Sequence, residues 1–196
     1  MIELSPRHTQ NCKFVHSRYA ALRELPQKGV IAEVGVLAGD LSQWFLNHKK
    51  PKELHLIDVF YCDDFPGKNR FKKKQNLSFV KKRFENQISD DIVSLHQGYS
   101  WNMLSKFEDH YFDLIYIDAA HDYDSVRRDL KESAKKIKLN GSIVMNDYIM
   151  YDHLAKSAYG VVQATNEFCV NENWEFDYFA FHPNLFCDVI LKKITN

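Results

Sequence analysis

The segment Val30-Ile-Ala-Glu-Val-Gly-Val-Leu-Ala-Gly-Asp40 constrains the fold more than any other part of the chain. It reads as a buried strand that carries Glu33 near its end and runs into two glycines, Gly35 and Gly39. The amphipathic stretch Leu41-Ser-Gln-Trp-Phe-Leu46 follows directly. A strand, a glycine turn and a helix start, in that order, let backbone approach a ligand closely, because glycine has no Cβ in the way. The order Glu33-x-Gly35-x-x-x-Gly39 lacks the middle glycine of the dinucleotide fingerprint G-x-G-x-x-G. A carboxylate two residues ahead of the first glycine repels a phosphate and suits a ligand with a positive amino group.

Strand-like and helix-like segments alternate through the rest of the chain. Residues 53–60 form a second strand, and residues 61–71, with Pro66 and Gly67, a loop. Leu77, Val80, Phe84 and Ile88 mark one face of a helix. Residues 91–96 read as a short strand, 101–107 as a short helix, and 112–118 as an apolar strand of the kind buried on both faces. Asp124 is placed to cap a helix with the stripe Val126, Leu130, Ala134 and Ile137, which Asn140-Gly141 stops. Residues 141–145 make a fifth strand. A helix over about residues 160–172 follows, then β-rich segments at 175–182 and 185–194. Five alternations predict an α/β fold, a doubly wound and mostly parallel sheet of seven strands. The link Pro183-Asn184 is too short for a crossover, so the last two strands form a C-terminal antiparallel hairpin. Val15, Tyr19 and Leu22 predict that the first 26 residues are helical, ended by Pro26. No repeat or linker divides the sequence, which points to a single domain over 1–196 with its core from residue 27.

Charge narrows the partners. The 26 basic and 26 acidic residues cancel, so no global positive field is available to hold a nucleic acid. The runs Lys72-Lys73-Lys74 and Lys81-Lys82-Arg83 read as a solvated helix face. The segment Met1–Arg7 has no signal-peptide character, and no apolar run is long enough to span a bilayer, so no membrane partner is expected. Cys12, Cys62, Cys169 and Cys187 form no CxxC pair and read as reduced thiols of a cytoplasmic protein. Oligomeric state is left open, a homodimer included.

In an open α/β sheet, ligands bind beyond the carboxyl ends of the strands. Those ends carry Glu33 and Gly35, Asp58, Gln97 and Gly98, Asp118, and Asn146 with Asp147. Four of the five bear a carboxylate. Asp58, at the end of the second strand, suits the two hydroxyls of a ribose. Gly98 and Ser100 suit the side of an adenine, although Ser100 equally suits the N-cap of the next helix. His121, with an ordinary pKa of about 6.5, fits a general base as well as a cap or packing residue. Tyr148, Tyr151 and Tyr159 are candidate walls of an acceptor pocket. His153 and His182 read as surface or packing residues, and Trp44 and Phe45 as core.

The glycine turn resembles the first motif of the class I S-adenosylmethionine-dependent methyltransferases. With Asp58, Ile117-Asp-Ala-Ala-His-Asp-Tyr123, Asn146-Asp-Tyr148 and Gly160-Val-Val-Gln-Ala-Thr-Asn-Glu-Phe168, it makes the chain similar to the small metal-dependent O-methyltransferases of the catechol, caffeoyl-coenzyme A and macrocin type. The resemblance implies a Rossmann-like fold and methyl transfer from S-adenosylmethionine to a hydroxyl of a small molecule. It implies cofactor binding through Glu33, Gly35, Gly39, Asp58, Gly98, Ser100 and Asp118, and catalysis through Asp118 and His121. It also implies Mg²⁺ (or Ca²⁺) held by Asp118, Asn146 and Asp147. Relatives usually have an aspartate where this chain has Asn146, and two carboxylates bind the ion more weakly than three. The residues leave two other readings open: an NAD-dependent oxidoreductase, and a nucleoside-binding domain without activity. Residues 61–71, residues 148–159 and the N-terminal segment are the expected specificity elements.

Overall fold

The computed structural model describes residues 2–61 and 76–195. Cys62, the run Lys72-Lys73-Lys74 and nearly all of the loop expected at 61–71 lie outside them. The strands are β1 (Lys13–Val15), β2 (Val30–Val34), β3 (Glu53–Asp58), β4 (Val93–Gln97), β5 (Phe112–Ile117), β6 (Ile137–Met145), β7 (Tyr151–Asp152), β8 (Ser157–Ala158), β9 (Trp174–Ala180) and β10 (Asp188–Lys193). The helices are α1 (Arg18–Glu24), α2 (Asp40–His48), α3 (Asn76–Arg83), α4 (Glu85–Ser89), α5 (Ser100–Leu104), α6 (Tyr123–Lys136) and α7 (Val161–Glu172).

Among the described residues, eight strands form one sheet in the order β1-β9-β10-β6-β5-β2-β3-β4, with β7 and β8 paired apart from it. Strands β2 to β6 run parallel, and β10 is antiparallel to both β6 and β9. The fold is thus the expected Rossmann-like sheet closed by a hairpin. All five residues of β2 are buried, and alternate ones serve opposite faces. Val30, Ala32 and Val34 join a core with Val126, Leu130, Val161 and Phe168 of α6 and α7. Ile31 joins another with Leu22, Phe45 and Val80 of α1, α2 and α3. Each aliphatic side chain so buried contributes about 1.5–3 kcal/mol.

Four local expectations are corrected. The sheet has eight strands rather than seven, because the N-terminal 26 residues are not uniformly helical. They form a 3-10 turn at Pro6–His8, then β1, then α1 capped by the Ser17 side chain, which accepts from Ala20 N at 3.2 Å. Edge pairing decides this: β1 lies parallel to β9, and Phe14 packs 5.5 Å from Phe179. The helix expected around Leu77 to Ile88 is two helices, broken at Phe84, which leaves helical geometry to sit fully buried. Helix α6 is capped by Asp122, whose carboxylate accepts from Ser125 N at 3.0 Å, and not by Asp124. It ends at Lys136 rather than at Asn140-Gly141. Ile137 turns extended to pair with Phe112, so β6 begins four residues earlier than the glycine suggests. No helix of the described residues is long and apolar enough to cross a membrane.

Candidate active site

Strand β2 pairs with β3 on one side and β5 on the other, so the strand order reverses there and a crevice opens beyond their carboxyl ends. Backbone hydrogen bonds align these ends. Gly35 N donates to Ile57 O at 2.9 Å, Asp118 N to Val34 O at 2.7 Å, Asn146 N to Ile117 O at 3.0 Å, and Gly98 N to Asp58 O at 2.9 Å. Every strand-end residue named from the sequence therefore lies along one edge.

Gly35 adopts φ +87°, and a Cβ there would stand 1.8 Å from the Asp118 carbonyl oxygen. The glycine is thus needed for the close approach of the β2 and β5 ends, whatever binds above them. Gly39, at φ +76°, is the N-cap of α2 and faces the Phe84 ring. Asp58 already accepts three backbone N–H groups: Val36 at 2.7 Å, Leu37 at 3.1 Å and Phe60 at 2.7 Å. It anchors the glycine loop, and a carboxylate with roughly four acceptor positions keeps limited room for a ribose hydroxyl. Glu33 is 1 % exposed and accepts from Ser42 Oγ at 2.5 Å. Burial pushes its pKa up to about 8, opposed by the Ser42 hydrogen bond. Its carboxyl is turned into the fold beneath the loop, toward α2. Arg83, expected on a solvated face, instead donates to Ala38 O at 2.7 Å and Asp40 Oδ1 at 2.8 Å, clasping the loop from α3.

Ser100 is not the N-cap, a place that Tyr99 takes. It is the first residue of α5, and its hydroxyl donates to Asp129 Oδ1 at 2.5 Å inside the fold. Burial raises the Asp129 carboxyl to about 7. Gly98 lies at the crevice edge, with Tyr99 exposed beside it and stacked on Trp101 at 5.1 Å.

At the β5 and β6 ends, His121 Nε2 lies 3.6 Å from Asp118 Oδ1 and 3.8 Å from Asp147 Oδ2. The nitrogen is buried and makes no hydrogen bond among the described residues. Burial lowers the His121 pKa, opposed by the nearby Asn146 side chain and by the Asp152 and Asp122 carboxylates. The ring stacks on Tyr159 at 4.4 Å and 9°, and Tyr159 donates to Asp152 Oδ2 at 2.9 Å across the β7–β8 hairpin. Gly160 N donates to His121 O at 2.8 Å. Asp147 has φ +50°, a strained backbone for a non-glycine residue, and burial raises its pKa to about 6.

Behind this edge lies a group that sequence reading did not find. Asp188, at the start of β10, is 2 % exposed. Its Oδ2 accepts from Tyr116 OH at 2.7 Å, and its Oδ1 accepts from Asn146 Nδ2 at 3.2 Å and lies 3.3 Å from Arg18 Nη2. Burial raises the Asp188 pKa, against the pull of Arg18, Tyr116 and Asn146. The one signal in the sequence is an aspartate inside the apolar run Phe186-Cys-Asp-Val-Ile-Leu191, since a buried carboxylate needs partners. Nothing in the sequence singles out Arg18. Tyr148 donates to Asn166 Oδ1 at 2.6 Å, Tyr151 is exposed, and Trp44 is only partly buried whereas Phe45 is fully so.

The three residues expected to hold Mg²⁺ or Ca²⁺ lie together at the β5 and β6 ends, around His121. The Asn146 amide nitrogen donates to Asp188 at 3.2 Å and to Tyr116 OH at 3.3 Å, which leaves the amide oxygen as the atom of Asn146 able to coordinate, and the edge of His121 stands against both Asp118 and Asp147. Among the described residues, no group of three or more His, Cys, Asp or Glu side chains is arranged to hold a metal ion.

The architecture recurs among solved structures at low identity. A putative rRNA methylase from Clostridium thermocellum aligns with TM-score 0.65 and 10% identity, over 93% of this chain and 98% of that one. The B. subtilis M1A22 tRNA methyltransferase TrmK aligns with TM-score 0.61 and 12% identity, over 93% and 67%. The Podospora anserina methyltransferase PaMTH1, bound to S-adenosylhomocysteine, aligns with TM-score 0.59 and 17% identity, over 84% and 71%. No curated protein matches the sequence. The family profile described as a methyltransferase domain matches residues 32–148, from β2 through the β6 end, which sets the oxidoreductase alternative aside. With that match over more than half its length, and with the crevice its glycine loop opens at the sheet edge, the chain belongs to the methyltransferase domain family, in the class I S-adenosylmethionine-dependent fold.

Proposed function

We propose that the chain transfers the methyl group of S-adenosylmethionine to a hydroxyl of a small molecule, with His121 as proton acceptor. The observation that carries this reading is the buried, unbonded His121 Nε2 between the Asp118 and Asp147 carboxylates, at the same sheet edge as the glycine loop. Burial keeps the ring neutral near pH 7, which is the state that takes up a proton. The acceptor oxygen attacks the methyl carbon, the carbon–sulfur bond breaks, and its electron pair stays on sulfur as S-adenosylhomocysteine forms. The hydroxyl proton passes to Nε2, and the imidazolium is met by two carboxylates. Alignment of the oxygen with the methyl group supplies the rest of the acceleration.

In this reading the cofactor lies over the loop between Gly35 and Gly39. Asp58 fixes that loop and offers its remaining acceptor capacity to the ribose, while Gly98 borders the base. Glu33 and Ser100 support the wall from within. A net charge of zero favours a small acceptor over a nucleic acid backbone. The metal ion implied by the resemblance has no part in this reading, in which His121 alone takes the proton.

The test is a radiolabelled methyl-transfer screen over hydroxylated small molecules, alongside calorimetry with S-adenosylhomocysteine. With an acceptor in hand, His121→Asn is expected to leave cofactor affinity within about threefold and to cut turnover by roughly 10²–10⁴. EDTA is expected to leave the wild-type rate unchanged. Undiminished turnover in His121→Asn would remove the base from the mechanism.

A further inference from the structure

The loop from Gly35 to Gly39 is held at each end by a charged side chain from a different element. Asp58, at the end of β3, accepts from Val36 N at 2.7 Å and from Leu37 N at 3.1 Å. Arg83, the last residue of α3, uses one nitrogen, Nη1, for two bonds: to Ala38 O at 2.7 Å and to Asp40 Oδ1 at 2.8 Å. Between these anchors Leu37 sits at φ +50°, a conformation that a residue with a Cβ keeps only where its surroundings enforce it. Phe84 adds a second contact from the same helix end. Its ring is fully buried and stands 2.6 Å from where a Cβ of Gly39 would be. Neighbouring residues of a continuous helix point about 100° apart, so they do not face one target. The break at Phe84 lets residues 83 and 84 both reach the loop, with the guanidinium 5.5 Å from the centre of the Phe84 ring.

We propose that Arg83 is a positioning residue for the cofactor: it holds the loop between Gly35 and Gly39 in its binding shape and couples that loop to α3. The proposal rests on the reading that the cofactor lies over this loop. Coupling of this kind is reciprocal, so whatever affinity α3 lends the cofactor, bound cofactor returns as stability of α3. Lys82 is exposed and carries the same charge on the same helix, with no hydrogen bond or ion pair to the loop among the described residues. The effect therefore belongs to the two bonds of Arg83 and not to the charge of the helix.

The test uses full-length protein and S-adenosylhomocysteine. Arg83→Met keeps an apolar stem beside Phe84 and removes both hydrogen bonds, and it is expected to weaken binding roughly tenfold in calorimetry. Lys82→Met removes the same charge and is expected to leave affinity within about twofold. Hydrogen exchange at the amides of residues 76–83 is expected to slow when the ligand is added to wild type. At equal occupancy the slowing is expected to be smaller in Arg83→Met. In ligand-free protein carrying ¹⁵N-labelled glycine, the NMR signal of Gly39, assigned by its loss in Gly39→Ala, is expected to move in Arg83→Met. If wild type binds and Arg83→Met binds equally well, or if Lys82→Met weakens binding as much, the proposal is overturned and the cofactor reading stands. Unchanged exchange at residues 76–83 in ligand-bound wild type also overturns it, and that measurement depends on no variant. If wild type does not bind, the cofactor reading fails and the proposal with it, and a Gly39 signal that still moves makes Arg83 a structural anchor of the loop.

Discussion

At Gly35 backbone angle and neighbouring space act together. The φ of +87° is one that side chains with a Cβ adopt at a cost, and the site of that Cβ is 1.8 Å from the Asp118 carbonyl oxygen. Backbone cannot yield as a side chain can, so even Gly35→Ala must part the β2 and β5 ends. A loss on the order of 3 kcal/mol is expected in urea unfolding, with S-adenosylhomocysteine binding abolished in calorimetry. Gly39→Ala should cost less, since its Cβ would meet the Phe84 ring at 2.6 Å rather than backbone. Equal losses in the two variants would contradict the close approach of strand ends as the reason for Gly35. A sequence motif marked both positions. The structural reason differs from the one the motif suggests, because the crowding is by the protein's own backbone before any ligand arrives.

The elements that set the site are the loop after β5 and the segment from β6 to α7, which meet at Gly160. A Cβ on Gly160 would lie 2.3 Å from Tyr123 N and 2.4 Å from Tyr123 Cα, so the start of α7 touches the start of α6 backbone to backbone. The contact places Gly160 N on His121 O and brings Tyr159 over the ring. Gly160→Ala is expected to separate the two helix starts, at a cost of about 2 kcal/mol, or roughly 4–8 °C in calorimetric Tm for a chain of this size. The NMR signals of the His121 ring should shift in the same variant. An unchanged Tm would show that the segment relaxes without α6. Helix α1 and strand β1 act similarly at the other edge, where they carry Arg18 to Asp188.

For the molecule as a whole, buried ionisable groups predict how stability depends on pH. Burial raises Glu33 from 4.5 to about 8 and Asp129 from 3.8 to about 7. Between pH 6.5 and 8 the unfolded chain has lost both protons while the folded chain still binds part of them. Stability therefore falls as pH rises through this window. His55, His96 and His121 are lowered by burial, His96 to about 4, and so oppose the trend. Half of each unfolded histidine still carries its proton at about pH 6.5, so this opposing effect extends to about pH 7.5. Lys49, lowered by burial to about 8, also opposes the trend from about pH 7 upward. Urea unfolding from pH 6.5 to 8 should show a net decline on the order of 1 kcal/mol, which Glu33→Gln should remove. A flat profile in the wild type would mean that these carboxyls are not buried as described.

The sequence by itself determined the α/β alternation, the parallel core, the closing hairpin and the row of polar residues at the strand ends. These depend on local periodicity, on glycine and on the shortness of Pro183-Asn184, all written within a few residues of where they act. It did not determine the N-terminal strand, the break at Phe84 or the early start of β6. Each of these was decided by a partner distant in the chain: the open edge of β9, the core that takes up Phe84, and the pairing of Ile137 with Phe112. The site divides in the same way. Gly35, Asp58, Asp118, His121 and Asn146 were legible because motif spacing places them at strand ends. What they touch was not. The inward turn of Glu33 and Ser100, the clasp of Arg83 and the Arg18–Asp188–Tyr116–Asn146 cluster arise where chain ends 170 residues apart meet, between Arg18 and Asp188. Local pattern cannot encode such a contact, because burial and hydrogen-bond satisfaction depend on which segments the folded sheet brings together.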